Sequence, residues 1–194
     1  MTTSTPSPIR KPAAARHPRG AFTLVEVMIG ATLSSFVLAA VLSTFLFMGR
    51  SGANLSNYSD METQARKALE IFAEDVRQAS AITWTSSTYV TLTVNSAAIA
   101  FTYDSSTSTF YRRTSSGTQT LITGITAGTF AFKAYNVAGT EMALATAANL
   151  TAAGTSTKQL QISLEASRTT RTVATATNLV LSARYILRNK IVTA

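Results

Sequence analysis

The sequence predicts an α+β fold: a long N-terminal helix, membrane-spanning in its first half, packed on a small antiparallel β-sheet. Three observations carry this. From Val27 to Gly49 there are 23 residues without a charge. Beyond them, apolar residues recur every three or four positions, the period of an amphipathic helix. From Trp84 onward the period falls to two, as in half-buried strands. A chain of 194 residues accommodates one ordinary domain with something to spare. It divides into a leader over 1–21, a transmembrane helix over 22–48, an amphipathic helix over 49–83 and a β domain over 84–194.

The leader holds Arg10, Lys11, Arg16 and Arg19, four of the positive charges behind a net +8, and no acid. It also holds all 4 prolines and the only histidine, His17. A basic, Pro-rich prefix cannot bury a core. It reads as a targeting or processing segment, with a disordered cytoplasmic tail as the bland alternative. Only 13% of the chain is charged, against ~25% in soluble domains, which fits a membrane segment followed by a Ser/Thr-rich surface.

As a helix, the charge-free span reaches roughly 35 Å, enough for a ~30 Å hydrocarbon core. The positive excess on its N-terminal side places the leader in the cytoplasm and the C-terminal bulk outside. A secretory signal would need only ~7–15 apolar residues, although Leu38-Ala39-Ala40 keeps cleavage by signal peptidase open. A plain anchor explains the length but not Glu26. A carboxylate at full membrane depth costs about 2.5–3.5 kcal/mol, so an anchor under no other constraint would omit it. Ala31, Ser35, Ala39 and Ser43 repeat every four residues as a small-residue stripe of the kind that lets helices approach closely; ordinary Ala and Ser usage in a membrane helix would look the same.

The stretch Ala21-Phe22-Thr23-Leu24-Val25-Glu26-Val27-Met28-Ile29 resembles the processing and methylation motif of type IV pilins and pseudopilins. The resemblance implies cleavage by a prepilin peptidase before a Phe, methylation of the new N-terminus by the same enzyme, and a Glu at the fifth mature position. It implies further partners: other pilin or pseudopilin subunits, an inner-membrane assembly platform, an ATPase and membrane lipid. Localisation follows as inner membrane, single-pass, then pilus or pseudopilus. The residue before the cut is usually Gly in this family. Cutting after Gly20 makes Ala21 first and Glu26 sixth; cutting after Ala21 makes Phe22 first and Glu26 fifth. The second is favoured, with Phe22 as the methylated residue, because the new ammonium then lies about one helical turn from Glu26. In a filament, Glu26 of an incoming subunit pairs with a neighbour's N-terminal charge, since a buried carboxylate without a partner is strongly penalised.

Past the Gly49-Arg50-Ser51-Gly52 joint, Leu55, Tyr58, Met61, Ala65, Leu69, Phe72, Val76, Ala79 and Ile82 form one apolar stripe. Glu62 with Arg66 and Glu74 with Arg77 support the helix off that stripe. Residues 66–79 are similar to the post-membrane helix of J-type minor pseudopilins and W-type minor pilins, where an acidic-hydrophobic-Arg group, here Asp75-Val76-Arg77, precedes a small residue.

In the C-terminal half, strands are predicted at Tyr89–Val94, Ala98–Tyr103, Thr109–Arg113, Gln119–Ile122, Thr129–Tyr135, Gln159–Leu164 and Asn178–Arg188, joined as a meander. Ala143 to Thr157, rich in Ala and Thr, predicts a mobile loop. Cysteine is absent, which removes thiol nucleophiles, zinc-thiolate sites and the disulfide that staples the C-terminal loop in many members of the resembled family. Asp104, Glu141 and Glu165 are scattered, so no Ca²⁺ loop forms, and no nucleophile-base pair can be assembled. The reading is therefore of a structural subunit, with no catalytic residue, metal or cofactor. Nine basic residues against three acids from residue 84 onward allow contact with DNA or another anionic surface. Without an aromatic-interleaved patch, a solvated basic surface is the favoured reading.

Overall fold

The computed structural model describes residues 20–168 and 177–192. Arg10, Lys11, Arg16, Arg19, His17 and Arg171 lie outside the described residues. The chain falls into two compact units, residues 1–46 and 47–194. Helix α1 (Leu24–Gln78) begins in the first and ends in the second. Gly49 and Gly52 are helical, and a methyl group on either would meet nothing.

In the second unit the α+β expectation holds, but the β part consists of two antiparallel sheets. The first runs in sequence order: β1 (Ala81–Ser86), β2 (Tyr89–Val94), β3 (Ala97–Asp104), β4 (Thr109–Thr114) and β5 (Gly117–Thr123). Tight turns explain the meander. Asn95 and Ser96 both take positive φ, the two-residue hairpin geometry that matches strand twist. At the β3–β4 turn, Asp104 Oδ1 accepts from Ser106 N at 2.9 Å and Oγ at 2.7 Å. Those bonds hold the Asp104 carboxyl below its ordinary pKa.

The meander stops at Gly124 (φ +73), where a Cβ would lie 2.7 Å from the Ser167 carbonyl oxygen. Only glycine permits that approach. The chain then makes one bridge, Ile125 with Ala166, and enters a second sheet ordered β7-β6-β8-β9. Its strands are β6 (Ala131–Tyr135), β7 (Glu141–Met142), β8 (Gln159–Arg168) and β9 (Thr177–Ile186). The single-sheet expectation fails because a backbone contact at Gly124 leaves no periodic trace.

Two further boundaries differ from expectation. The helix ends at Gln78 instead of residue 83, and Ala81–Ser86 forms β1, which places Ile82 on a strand. Ile82 satisfies both periods, and its pairing with Leu92 decides it. The expected loop at Ala143 to Thr157 contains helix α2 (Ala147–Ser156). Thr146 caps it by accepting from Asn149 N at 3.3 Å. Ala153 is fully buried, and Gly154 lies close enough to β1 that a Cβ would sit 3.4 Å from the Ile82 oxygen.

The core is aromatic and centred on Phe72 of α1, which is fully buried. Its ring lies 5.0 Å from Phe101 on the first sheet, and 5.8 Å from both Phe132 and Tyr185 on the second. One helix side chain therefore ties both sheets together. Leu55 and Tyr58, at the start of the predicted stripe, stay exposed. Off the stripe, Arg66 Nη2 pairs with Glu62 at 2.5 Å as expected. Glu74 instead accepts from Gln78 at 3.3 Å, while Arg77 lies 6.0 Å from the Tyr185 ring.

Asp75, the acid of the Asp75-Val76-Arg77 group, is buried and takes a two-pronged bond from Arg112 of β4 at 2.6 and 3.2 Å. In place of a disulfide, the C-terminal segment is fastened by hydrogen bonds. Asn189 donates to Gln78 O at the end of α1 (3.1 Å), and Lys190 donates to Thr155 O (2.6 Å) and Thr157 O (3.0 Å) at the end of α2. Burial, and then the neighbouring Lys158, pushes the Lys190 ammonium below its ordinary pKa.

Replacing Phe72 by Ala should cost about 3–5 kcal/mol, read as a lower urea midpoint of Trp84 fluorescence in detergent. Asp75→Leu alone should cost about 2–3 kcal/mol by leaving Arg112 unpaired. The double variant Asp75→Leu/Arg112→Leu should recover most of that loss, and failure to recover it would show that the ion pair is not the cause.

Candidate functional site: the head of the N-terminal helix

The site is built by the residues where α1 starts. Gly20, Ala21, Phe22 and Thr23 precede the helix, and all four are exposed. Both expected cleavage bonds, Gly20–Ala21 and Ala21–Phe22, therefore lie in non-helical chain. Phe22 itself is 84% exposed.

Thr23 opens the helix. Its carbonyl accepts the first helical bond, from Val27 N at 3.2 Å. Its Oγ1 accepts from Glu26 N at 3.2 Å, and Glu26 Oε2 accepts in return from Thr23 N at 2.8 Å. This is the reciprocal capping box of the Ser/Thr-x-x-Glu pattern. Thr23 Oγ1 also lies 2.9 Å from Glu26 Oε2, with the hydroxyl donating. The carboxylate further faces the positive end of the helix dipole.

Glu26 thus has a local role as well: it satisfies the Thr23 N–H, which a helix start otherwise leaves unpaired. The Thr23-Leu24-Val25-Glu26 spacing was the available signal. Both side-chain bonds terminate on Oε2. Oε1 accepts no hydrogen bond among the described residues, so one oxygen of the carboxylate is left to receive a further donor.

Beyond the cap, every residue from Leu24 to Met48 is exposed, and α1 is long and apolar enough to cross a membrane. Its hydroxyls turn back onto the helix. Thr32 donates to Met28 O and Ile29 O (both 2.9 Å), Ser35 to Ala31 O (2.6 Å) and Thr44 to Ala40 O (3.0 Å). Such back-bonding leaves the surface apolar, as a lipid-facing helix requires. Ala31, Ser35, Ala39 and Ser43 all lie on α1 and are exposed.

The prokaryotic N-terminal methylation motif matches residues 16–42. The chain carries the type IV pilin and pseudopilin signature. The match covers the cap, Glu26 and most of the charge-free helix. Its first residues, 16–19, lie outside the described residues. A motif of this kind implies processing by prepilin peptidase and assembly with other pilin subunits, and indicates a structural subunit. With the apolar helix it also indicates membrane anchoring. No curated protein matches the chain.

Thr23→Ala removes the hydroxyl that accepts from Glu26 N and donates to Glu26 Oε2, and keeps the Thr23 N–H bond, Phe22 and Glu26 in place. It should destabilise the helix start by about 1 kcal/mol. Amide exchange at Glu26 in micelles should then accelerate about fivefold; an unchanged rate would contradict the cap.

Proposed function

We propose that this chain is a minor pilin or pseudopilin of a type IV pilus or type II secretion filament, inserted in the inner membrane with its N-terminus cytoplasmic. The peptidase cuts between Ala21 and Phe22, removing 1–21, and methylates Phe22; Gly20–Ala21 is the alternative bond. An assembly platform and an ATPase then supply the energy that moves the helix from lipid into the filament. The likeness of residues 66–79 to J-type and W-type helices supports the minor-subunit assignment.

The observation that carries this reading is Glu26: a carboxylate within the matched motif, at the head of a charge-free helix, with one oxygen committed to the cap and one open. Cutting before Phe22 leaves Thr23 as the second residue, so the capping box survives and a new ammonium arises beside it. In the filament the open oxygen of one subunit takes the N-terminal charge of another. Neither charge then remains unpaired in an apolar core. The stripe Ala31, Ser35, Ala39 and Ser43 provides the close helix-helix seam. Phosphoryl and peptidase chemistry belong to the partners.

The capping box favours one competing reading, a plain membrane anchor in which Glu26 does nothing but cap. Glu26→Gln separates the two, because glutamine serves equally at that position of the box but has no charge. In a filament subunit, Glu26→Gln should abolish assembly while the chain stays folded and membrane-bound. In an anchor it should change nothing. Mass spectrometry of the mature protein gives the companion result: a chain beginning at singly methylated Phe22 is expected, and one beginning at Met1 or near residue 40 would refute the assignment.

A further inference from the structure

Strand β9 lies at the edge of its sheet and presents different chemistry on its two faces. Tyr185 turns inward, to Phe72 and the C-terminal turns of α1. Arg184 turns outward, with its guanidinium carbon 3.5 Å from the Tyr135 ring centroid. Arg184 Nε and Nη2 both donate to Gln161 Oε1, at 3.1 and 2.9 Å. Stacking and two hydrogen bonds fix this exposed cation, which lowers the entropy cost of using it in an interface. Its acceptor is neutral, however, and no carboxylate lies within ion-pair distance of it among the described residues. The nearby Lys133 is already paired with Glu141 at 3.1 Å. Val180 and Ile186, on the same outward face, are exposed.

The complementary surface lies on the other side of the strand. A groove of about 470 Å³ runs between α1 and β9, with Leu69, Ala73 and the Tyr185 ring as apolar lining and Glu70 and Glu74 as carboxylates. Glu74 is engaged only by Gln78, and Glu70 has no ion-pair partner among the described residues. Arg77 also borders the groove, so two negative charges face one positive charge there.

We propose that the groove of one copy receives Arg184 of a second copy, its guanidinium pairing with Glu70 and Glu74 while Val180 and Ile186 cover the apolar lining. The two surfaces occupy opposite faces of β9, so no chain satisfies itself. Each docked copy also leaves one open groove and one open Arg184. Contacts of this heterologous kind extend into rings or helical filaments instead of closing as a two-fold dimer. The proposal rests on the filament reading and assigns it a contact between the folded domains, separate from the helix core.

The absence of cysteine allows a clean test in the full-length chain. Two differently tagged copies, one carrying Arg184→Cys and the other Glu74→Cys, are co-expressed and oxidised in the envelope. A disulfide joining the two tags is expected only when both variants are present. Separately, Arg184→Glu should lower recovery in sheared filaments about tenfold, equivalent to 1.4 kcal/mol, with Phe22 processing unchanged. Glu70→Lys/Glu74→Lys should restore it. Normal recovery of Arg184→Glu without a cross-link overturns this contact and leaves the filament reading standing. Loss of DNA retention with recovery unchanged overturns it in favour of a nucleic-acid partner. A wild-type chain that never enters a filament overturns both.

Discussion

A carboxylate at the entrance to a charge-free helix must be satisfied by something, and at Glu26 that partner is the helix's own first turn. The Thr23 N–H and hydroxyl converge on Oε2 at 2.8 and 2.9 Å. A lone charge there would be costly to carry into hydrocarbon. The cap makes the charge useful, because the Thr23 N–H it accepts from would otherwise be exposed to the same medium. Only one oxygen is used, so the charge remains available to a second partner. Local folding and the proposed assembly thus draw on the same side chain without competing for the same atom.

Beyond the apolar span, ring packing, one buried ion pair and long-range hydrogen bonds hold the described residues together. In the second unit, Phe72 joins both sheets through ring contacts, and Asp75 meets Arg112 where the helix passes over β4. The ends of both helices are closed by the C-terminal segment, through Asn189 and Lys190. These bonds do what a disulfide would otherwise do in a chain without cysteine, by tying a terminal segment to elements far away in sequence.

How much of this was legible in the sequence follows from which interactions are local. The apolar span is an unbroken charge-free run, and the amphipathic stripe and seven of the strands each have a period, so the sequence displays them. Glu26 stood out because its charge breaks an otherwise uncharged run. Its capping role is equally local, in the Thr23-to-Glu26 spacing, but the same carboxylate also breaks the apolar run, and that is the more conspicuous feature. The division into two sheets was not legible, because it depends on the backbone of Ser167 reaching Gly124 across the fold. Helix α2 hid in an Ala/Thr-rich tract whose short length leaves little periodicity. Asp75 and Arg112 are separated by 37 positions, and Arg184 finds Tyr135 only through the pairing of β6, β8 and β9. Pairing across strands carries no signature in a single sequence.

The central claim is that Glu26 of one subunit meets the amino group uncovered on another. Solid-state NMR on filaments grown from a mixture of two chains addresses it directly, one labelled with ¹³C in glutamate and the other with ¹⁵N in phenylalanine. The account predicts a through-space correlation between the Glu26 carboxylate carbon and the Phe22 amine nitrogen in the mixed sample, where only contacts between chains can produce it. A correlation confined to filaments of doubly labelled chains would show that the pair forms within one subunit, and would contradict the account.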